Sequence, residues 1–138
     1  MPVIIQLGQC GNQIGYELTD QLWNEGMRDS FFVQKPNGKY YARSVLVDME
    51  PKVINQIVTQ SSSKEWNYSK TAPIMAKSGS GNNWSFGYSV LGPRYEEQIL
   101  KQVRKLAEDA DSMSDGFLLL TPFFRRVGLL CKISTLII

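Results

Sequence analysis

One alternation constrains this chain more than any other feature. Val3-Ile4-Ile5-Gln6-Leu7 is a mostly apolar run that stops at Gly8, and the apolar residues Ile14, Leu18 and Leu22 then recur every four positions. The run reads as a buried strand closed by a glycine turn. The recurrence places one stripe along a helix from Gln9 to Trp23, with Gly26 as its stop. The pattern then repeats. Ser44-Val45-Leu46-Val47-Asp48 is a second strand, Pro51 suits the first turn of a helix, and Val53, Ile54, Ile57 and Val58 supply that helix's apolar face. Ile74 to Lys77 is a short third strand. Pro93 opens a helix striped by Ile99, Leu100, Val103, Leu106 and Ala107, with Glu97 and Lys101 at the favourable i, i+4 spacing. Phe117 to Leu120 is a fourth strand. Strands alternating with helices predict an α/β fold with a parallel sheet. Asp29 to Tyr41 is predicted irregular, with a turn at Pro36-Asn37-Gly38, and Ser61 to Lys70 is predicted to be a connection.

Composition narrows the chemistry. With no histidine among 138 residues, His-based triads, His general bases and His-ligated metals are excluded. Cys10 and Cys131 are too few for a disulfide framework or a four-Cys zinc site. A net charge of +2 makes no electrostatic case for nucleic-acid binding. The segment Phe117 to Ile138 holds Pro122 and the pair Arg125-Arg126 near its middle. Each central Arg costs roughly 2.5–3.5 kcal/mol of insertion energy, so no membrane span is expected. The N-terminus lacks a basic n-region, which predicts an intracellular chain with reduced thiols and makes the sequons at Asn67 and Asn83 chance matches.

Three segments at predicted strand ends carry polar, glycine-rich chemistry. Gly8-Gln9-Cys10-Gly11-Asn12-Gln13-Ile14-Gly15 lies between the first strand and the first helix. Ligands of open α/β sheets bind at the carboxyl ends of strands, where helix N-termini offer free N–H groups. The spacing alone leaves open a phosphate cradle or a plain turn. It matches neither the dinucleotide fingerprint, which counts against a nicotinamide-dependent oxidoreductase, nor the P-loop, since Gly38-Lys39 is followed by Tyr40. Asp48 and Glu50 close the second strand, as a magnesium site or as helix-capping acids. Ser78-Gly79-Ser80-Gly81-Asn82-Asn83 closes the third and could offer hydroxyl, amide and backbone donors to a terminal phosphate. Trp84, Phe86 and Tyr88 are expected to pack rather than bind, and Cys10 to be a small packing residue.

These segments, in this order, resemble the tubulin family. Gln6-Leu7-Gly8-Gln9-Cys10-Gly11-Asn12-Gln13-Ile14-Gly15 is similar to its N-terminal signature, Val45-Leu46-Val47-Asp48-Met49-Glu50-Pro51 to its second loop, and Gly79-Ser80-Gly81-Asn82-Asn83-Trp84 to its third. Met49, Pro51-Lys52-Val53-Ile54-Asn55 and Tyr88-Ser89-Val90-Leu91-Gly92-Pro93-Arg94 resemble the delta type. The resemblance runs from Val3 to about Leu119. It implies a Rossmann-like parallel sheet, the N-terminal and incomplete part of a tubulin GTPase domain. It implies GTP and Mg²⁺ as cofactors. Gly8, Gln9, Cys10 and Gly11 would contact the phosphates and ribose, Gln13 would lie near the base, and Ser80, Gly81 and Asn82 would approach the γ-phosphate. Glu50 would be the magnesium-associated acid, with Asp48 beside it. Other tubulins and the microtubule would be partners, with a structural role in the cytoplasm, at the cytoskeleton, centrosome, centriole and cilium.

The departures sit at the end of the chain. Where the family carries a glycine-rich phosphate loop after its fourth strand, Thr121-Pro122-Phe123-Phe124-Arg125-Arg126-Val127-Gly128 stands here, with one glycine. From Gly116 the chain holds Arg125, Arg126 and Lys132 and no acid. Residues 1–120 therefore read as a partial nucleotide-binding domain and 121–138 as a divergent basic, apolar tail. GTP hydrolysis is not expected, because the water-activating acid of the family lies in a region with no counterpart here. A second reading is a truncated, non-binding fragment. Half a parallel sheet would expose its edge, and Phe117–Leu120 and Leu136–Ile138 would then be sticky.

Overall fold

The computed structural model describes residues 2–69, 73–76, 79, 81, 83–108 and 117–120. The chain begins with β1 (Val3–Leu7) and α1 (Gly8–Asn24), then the short α2 (Arg28–Phe31), β2 (Phe32–Gln34) and β3 (Tyr40–Ala42). It continues through β4 (Ser44–Asp48), α3 (Pro51–Ser61), β5 (Trp66–Asn67) and β6 (Pro73–Met75). One turn of helix, α4 (Trp84–Phe86), passes through a π-helical segment at Gly87–Leu91 into α5 (Gly92–Glu108), and β7 (Phe117–Leu120) follows. The main sheet has the order β6-β4-β1-β7 with every pairing parallel. The α/β fold expected from the alternation is the fold observed.

Strand parity divides the core in two. Ile4 and Leu46 point to one face, where they meet Leu22 and Trp23 of α1 and Ile54 and Ile57 of α3. Val3, Ile5, Leu7, Val45 and Val47 point to the other, where they meet Ile74 of β6 and Ile99 and Val103 of α5. Successive residues of a strand face opposite sides, and both sides are covered by helices, so β1 and β4 read as continuous apolar runs. Each fully buried aliphatic side chain contributes about 1.5–3 kcal/mol over leaving it in water.

Two expectations are corrected. Ile14 is 54% exposed rather than on the apolar stripe. The buried face of α1 is Gly11, Asn12, Gly15, Thr19, Leu22 and Trp23. The helix is rotated because it lies so close to β1 that the Gln6 side chain fills the space where a Cβ on Gly15 would be. The segment from Asp29 to Tyr41 is not irregular: it holds β2 and β3, which join β5 in a second, three-stranded sheet. The predicted turn stands at its hairpin, with Gly38 at φ +77° and the Lys39 N–H bonded to Asn37 Oδ1 at 3.0 Å. Arg43 ties the two sheets, its carbonyl accepting from Ile4 N–H and its N–H bonding to the Phe31 carbonyl.

The small sheet carries an aromatic cluster. Trp66 is fully buried, with Tyr16, Phe32 and Tyr68 rings 5.2–5.8 Å away. Trp23 meets Phe32 and Tyr40 edge-on, each at 5.1 Å. Such pairs add about 0.5–1.5 kcal/mol each beyond area burial. The π-helical segment precedes Pro93, whose missing N–H interrupts the ordinary i→i−4 ladder.

Candidate functional site

The parallel register aligns the strand ends. Leu7 of β1 lies opposite Val47 of β4, and Asp48 lies opposite Met75 of β6. The residues that follow these strands therefore leave the sheet at one edge. Gly8 takes φ +70°, a conformation open to glycine at little cost, and turns the chain from β1 directly into α1. No loop residue stands between the strand and the helix. Gln9 and Cys10 stand exposed on the first turn of α1, while Gly11 is buried. The leading N–H groups of a helix have no intrahelical acceptor and carry a partial positive charge.

One side chain joins this turn to the next strand. Asn12 is fully buried, and its Nδ2 donates to the Gly8 carbonyl at 2.8 Å and to the Val47 carbonyl at 3.1 Å. At the end of β4, Asp48 is half-buried, and its Oδ1 accepts the Glu50 N–H at 3.0 Å. That bond makes a small turn ahead of α3, so Asp48 shapes the loop and leaves the exposed carboxylate of Glu50 at the helix start. Glu50 in turn lies over the third segment. A Cβ on Gly79 would sit 2.7 Å from Glu50 Oε1 and 2.8 Å from its Cγ. Gly79 thus gives the carboxylate room that any other residue would take. Gly81 is exposed at φ +60° with open space around it. Ser80 and Asn82 lie outside the described residues.

Gln13 lies one helical turn after Gln9 on α1. It is exposed, and with Ile14, Tyr16, Glu17, Gln56, Ile57 and Gln60 it lines an open depression of about 410 Å³ between α1 and α3. Phe86 and Tyr88, expected to pack, are 42% and 48% exposed. Phe86 ends α4, Tyr88 lies in the π-helical segment, and the buried residue of that segment is Leu91. Of Trp84 only the backbone is described.

Glycine turns and acids at one sheet edge fit several ligands. The choice narrows when the whole chain is compared with known proteins. The profile of the Tubulin/FtsZ family GTPase domain matches residues 2–121. The chain belongs to the tubulin family. It is 45% identical to the human tubulin delta chain, and 42% identical to the tubulin delta chains of dog and mouse, in each case over 86% of this chain and 30% of the relative. It thus spans about a third of the length of these tubulins.

Seen as part of a tubulin GTPase domain, the edge has two structural members that the spacing of motifs did not single out. Asn12 and Gly79 both stand inside the recognised segments, yet neither was assigned a role. A signal for Asn12 was present: an amide four residues after a turn-forming Gly8 sits one helical turn above it. Nothing in the sequence marks Gly79 apart from Gly81. Only the packing against Glu50 does so. Among the described residues no group of three or more His, Cys, Asp or Glu side chains could hold a metal by itself. The carboxylate of Glu50 is nonetheless the hard oxygen donor that Mg²⁺ takes, and Mg²⁺ commonly uses one or two carboxylates together with ligand phosphates. No helix of the described residues is long and apolar enough to cross a membrane.

Beneath the edge lies a buried polar chain that fixes α1 on β1. Gln6 Nε2 donates to the Tyr68 hydroxyl at 3.2 Å, that hydroxyl donates to Thr19 Oγ1 at 3.4 Å, and Thr19 Oγ1 donates to the Gly15 carbonyl at 2.7 Å. Burial pushes the Tyr68 phenol up to about 12, against the smaller opposing pull of the Thr19 and Gln6 hydrogen bonds. It is therefore a neutral hydroxyl at any physiological pH.

Proposed function

We propose that this edge binds a guanine nucleoside triphosphate with Mg²⁺. In this reading the Gln9, Cys10 and Gly11 turn and the residues around Gly81 face the phosphates. Gly8 permits the close approach. Glu50 holds the metal together with phosphate oxygens, and Asp48 shapes its loop. Ser80 and Asn82 belong to the same third segment, and Gln13 stands toward the base. When bound, the ion neutralises phosphate charge. The chain's own part is to bind and orient, and no hydrolysis is assigned to it. The protein acts as a tubulin-type cytoskeletal component of the delta kind, with other tubulins as partners, at centrioles, basal bodies and cilia.

The single observation that carries this reading is the convergence of three segments: Asn12 links the first to the second, and Glu50 lies on Gly79 of the third. Membership of a family of GTPase domains supports guanosine triphosphate as the ligand. Equilibrium binding of labelled GTP to the 138-residue chain, with and without Mg²⁺ and against excess ATP, tests it. Saturable binding that Mg²⁺ strengthens, that ATP does not displace and that Glu50→Gln weakens is expected. No binding, or binding indifferent to Glu50, refutes it. The charge-assisted bonds of the family's principal phosphate loop contribute about 1.5–3 kcal/mol each, so affinity is expected to be orders of magnitude below that of a chain carrying that loop.

A further inference from the structure

We propose that Asn12 is a positioning residue that couples the phosphate-facing turn to the acid-bearing loop, so that nucleotide at one and Mg²⁺ at the other strengthen each other. The proposal rests on the nucleotide reading above and adds to it a residue and a regulation.

The two carbonyls held by Asn12 belong to different segments. Gly8 begins α1, and Val47 precedes Asp48 at the end of β4. A peptide group is planar and trans, so its C=O and the next N–H point in opposite directions. With the Gly8 carbonyl held on Asn12 Nδ2, the Gln9 N–H of the same peptide points the opposite way. The same amide fixes the Val47–Asp48 peptide from which the turn to Glu50 starts. A single planar group thus sets the orientation of both segments. Rotation of one peptide plane would pull on the other through about 3 Å bonds at each end.

Asn12 is no ordinary buried amide. Its Oδ1 is buried and has no hydrogen-bond partner among the described residues, while both donor hydrogens are used. An unpaired buried acceptor costs stability, and a serine or alanine would avoid that cost. The arrangement is explained when the donors are what the site needs. Asparagine is also a weak helix former, so nothing in α1 itself favours it there.

Coupling is reciprocal, so it can be measured from either side. The test uses the 138-residue chain and its variants Asn12→Ala, Asn12→Ser, Glu50→Gln and the double variant Asn12→Ala/Glu50→Gln. Tyr68→Phe serves as the control, since it loosens the buried chain behind α1 without touching either segment. Labelled GTP binding is titrated at zero and saturating Mg²⁺, and amide exchange is followed in the nucleotide-free protein. Asn12→Ala is expected to lower GTP affinity about tenfold in Mg²⁺, from two lost bonds, and to reduce the Mg²⁺ enhancement. Asn12→Ser, which keeps one donor, is expected to fall between. Exchange is expected to rise at both residues 8–11 and 48–50, and the double variant to be less impaired than the sum of the single ones. If Asn12→Ala and Glu50→Gln simply add, or Asn12→Ala behaves as Tyr68→Phe does, the coupling is refuted and the nucleotide reading survives. If the unaltered chain binds no GTP, both fall.

Discussion

The two faces of the main sheet are built on different principles. On the α1 and α3 face, aliphatic residues meet a second sheet and an aromatic cluster around Trp66, and a buried polar chain runs from Gln6 through Tyr68 to Thr19. On the α5 face, the buried cluster is aliphatic, with Val3, Ile5, Leu7, Val45, Val47 and Ile74 covered by Ile99 and Val103 of one helix and Met49, Tyr95 and Leu106 packed at its margin. The first face is directional: aromatic edges and hydrogen bonds fix how α1 and the small sheet sit. The buried core of the second is built from aliphatic shape and area. A face secured by directional contacts holds its helix to one position, and that helix is α1, whose first turn faces the proposed ligand.

This contrast can be broken or sharpened by substitution. The largest effect is expected for Trp66→Ala, which removes a fully buried ring from contact with three others. A loss of about 3–5 kcal/mol is expected in chemical denaturation. Ile99→Ala on the opposite face removes a single aliphatic side chain, with an expected loss of about 2–4 kcal/mol. A greater loss for Ile99→Ala than for Trp66→Ala would overturn the ranking of the two faces. Gly15→Ala drives a methyl group into Gln6, and because Gln6 is held by Tyr68 it cannot swing away freely. A loss of about 1–3 kcal/mol is expected, relieved in part by Gln6→Ala in the same chain.

Two further predictions concern pH. The Tyr68 phenol has a higher pKa folded than unfolded, so its contribution is fully present below pH 10 and is lost as pH rises from 10 toward 12. The difference in stability between the unaltered chain and Tyr68→Phe should shift by roughly 2–3 kcal/mol across that window, measured by urea denaturation at each pH. The smallest effect belongs to Asp20 at the outer rim of the same face. Partial burial opposes ionisation there, but hydrogen bonds from Lys64 and Trp66, with the Lys64 charge, bring its carboxyl below the usual range. A lowered folded value means stability present above the unfolded pKa and lost as pH falls through the folded one. Asp20→Asn should therefore destabilise slightly at neutral pH, and the difference should vanish in acid.

Much of this was legible in the residues, and what was not has identifiable causes. β4 was placed at Ser44–Asp48 and α3 from Pro51, because a β-branched run closed by an acid and a proline leaves few alternatives. β2, β3 and β5 were missed. They are two or three residues long, too short to show a period of two, and exist because Tyr40 and Tyr41 pair with Trp66 and Asn67, far along the chain. The burial of α1 was misjudged at Ile14 for a related reason. Helical periodicity finds the apolar stripe, but close approach at Gly15 chose a face made of small and polar residues. At the edge, the glycines and acids were visible as candidates, whereas Asn12 and Gly79 acquired roles through contacts with residues 35 and 29 positions away.

What the sequence determined alone is the local layer: which stretches extend, which coil, where proline and glycine stop them, and that polar turns follow the strands. Those choices depend on neighbours within a turn of helix or a few residues of strand, so they are written in short windows. What only the tertiary structure decided is how those windows meet: the parallel register that brings Leu7 beside Val47, the rotation of α1, and the single amide that holds two segments at once. Register and rotation are set by the packing of distant side chains into shared volume, and no local pattern records the volume that a distant partner will fill.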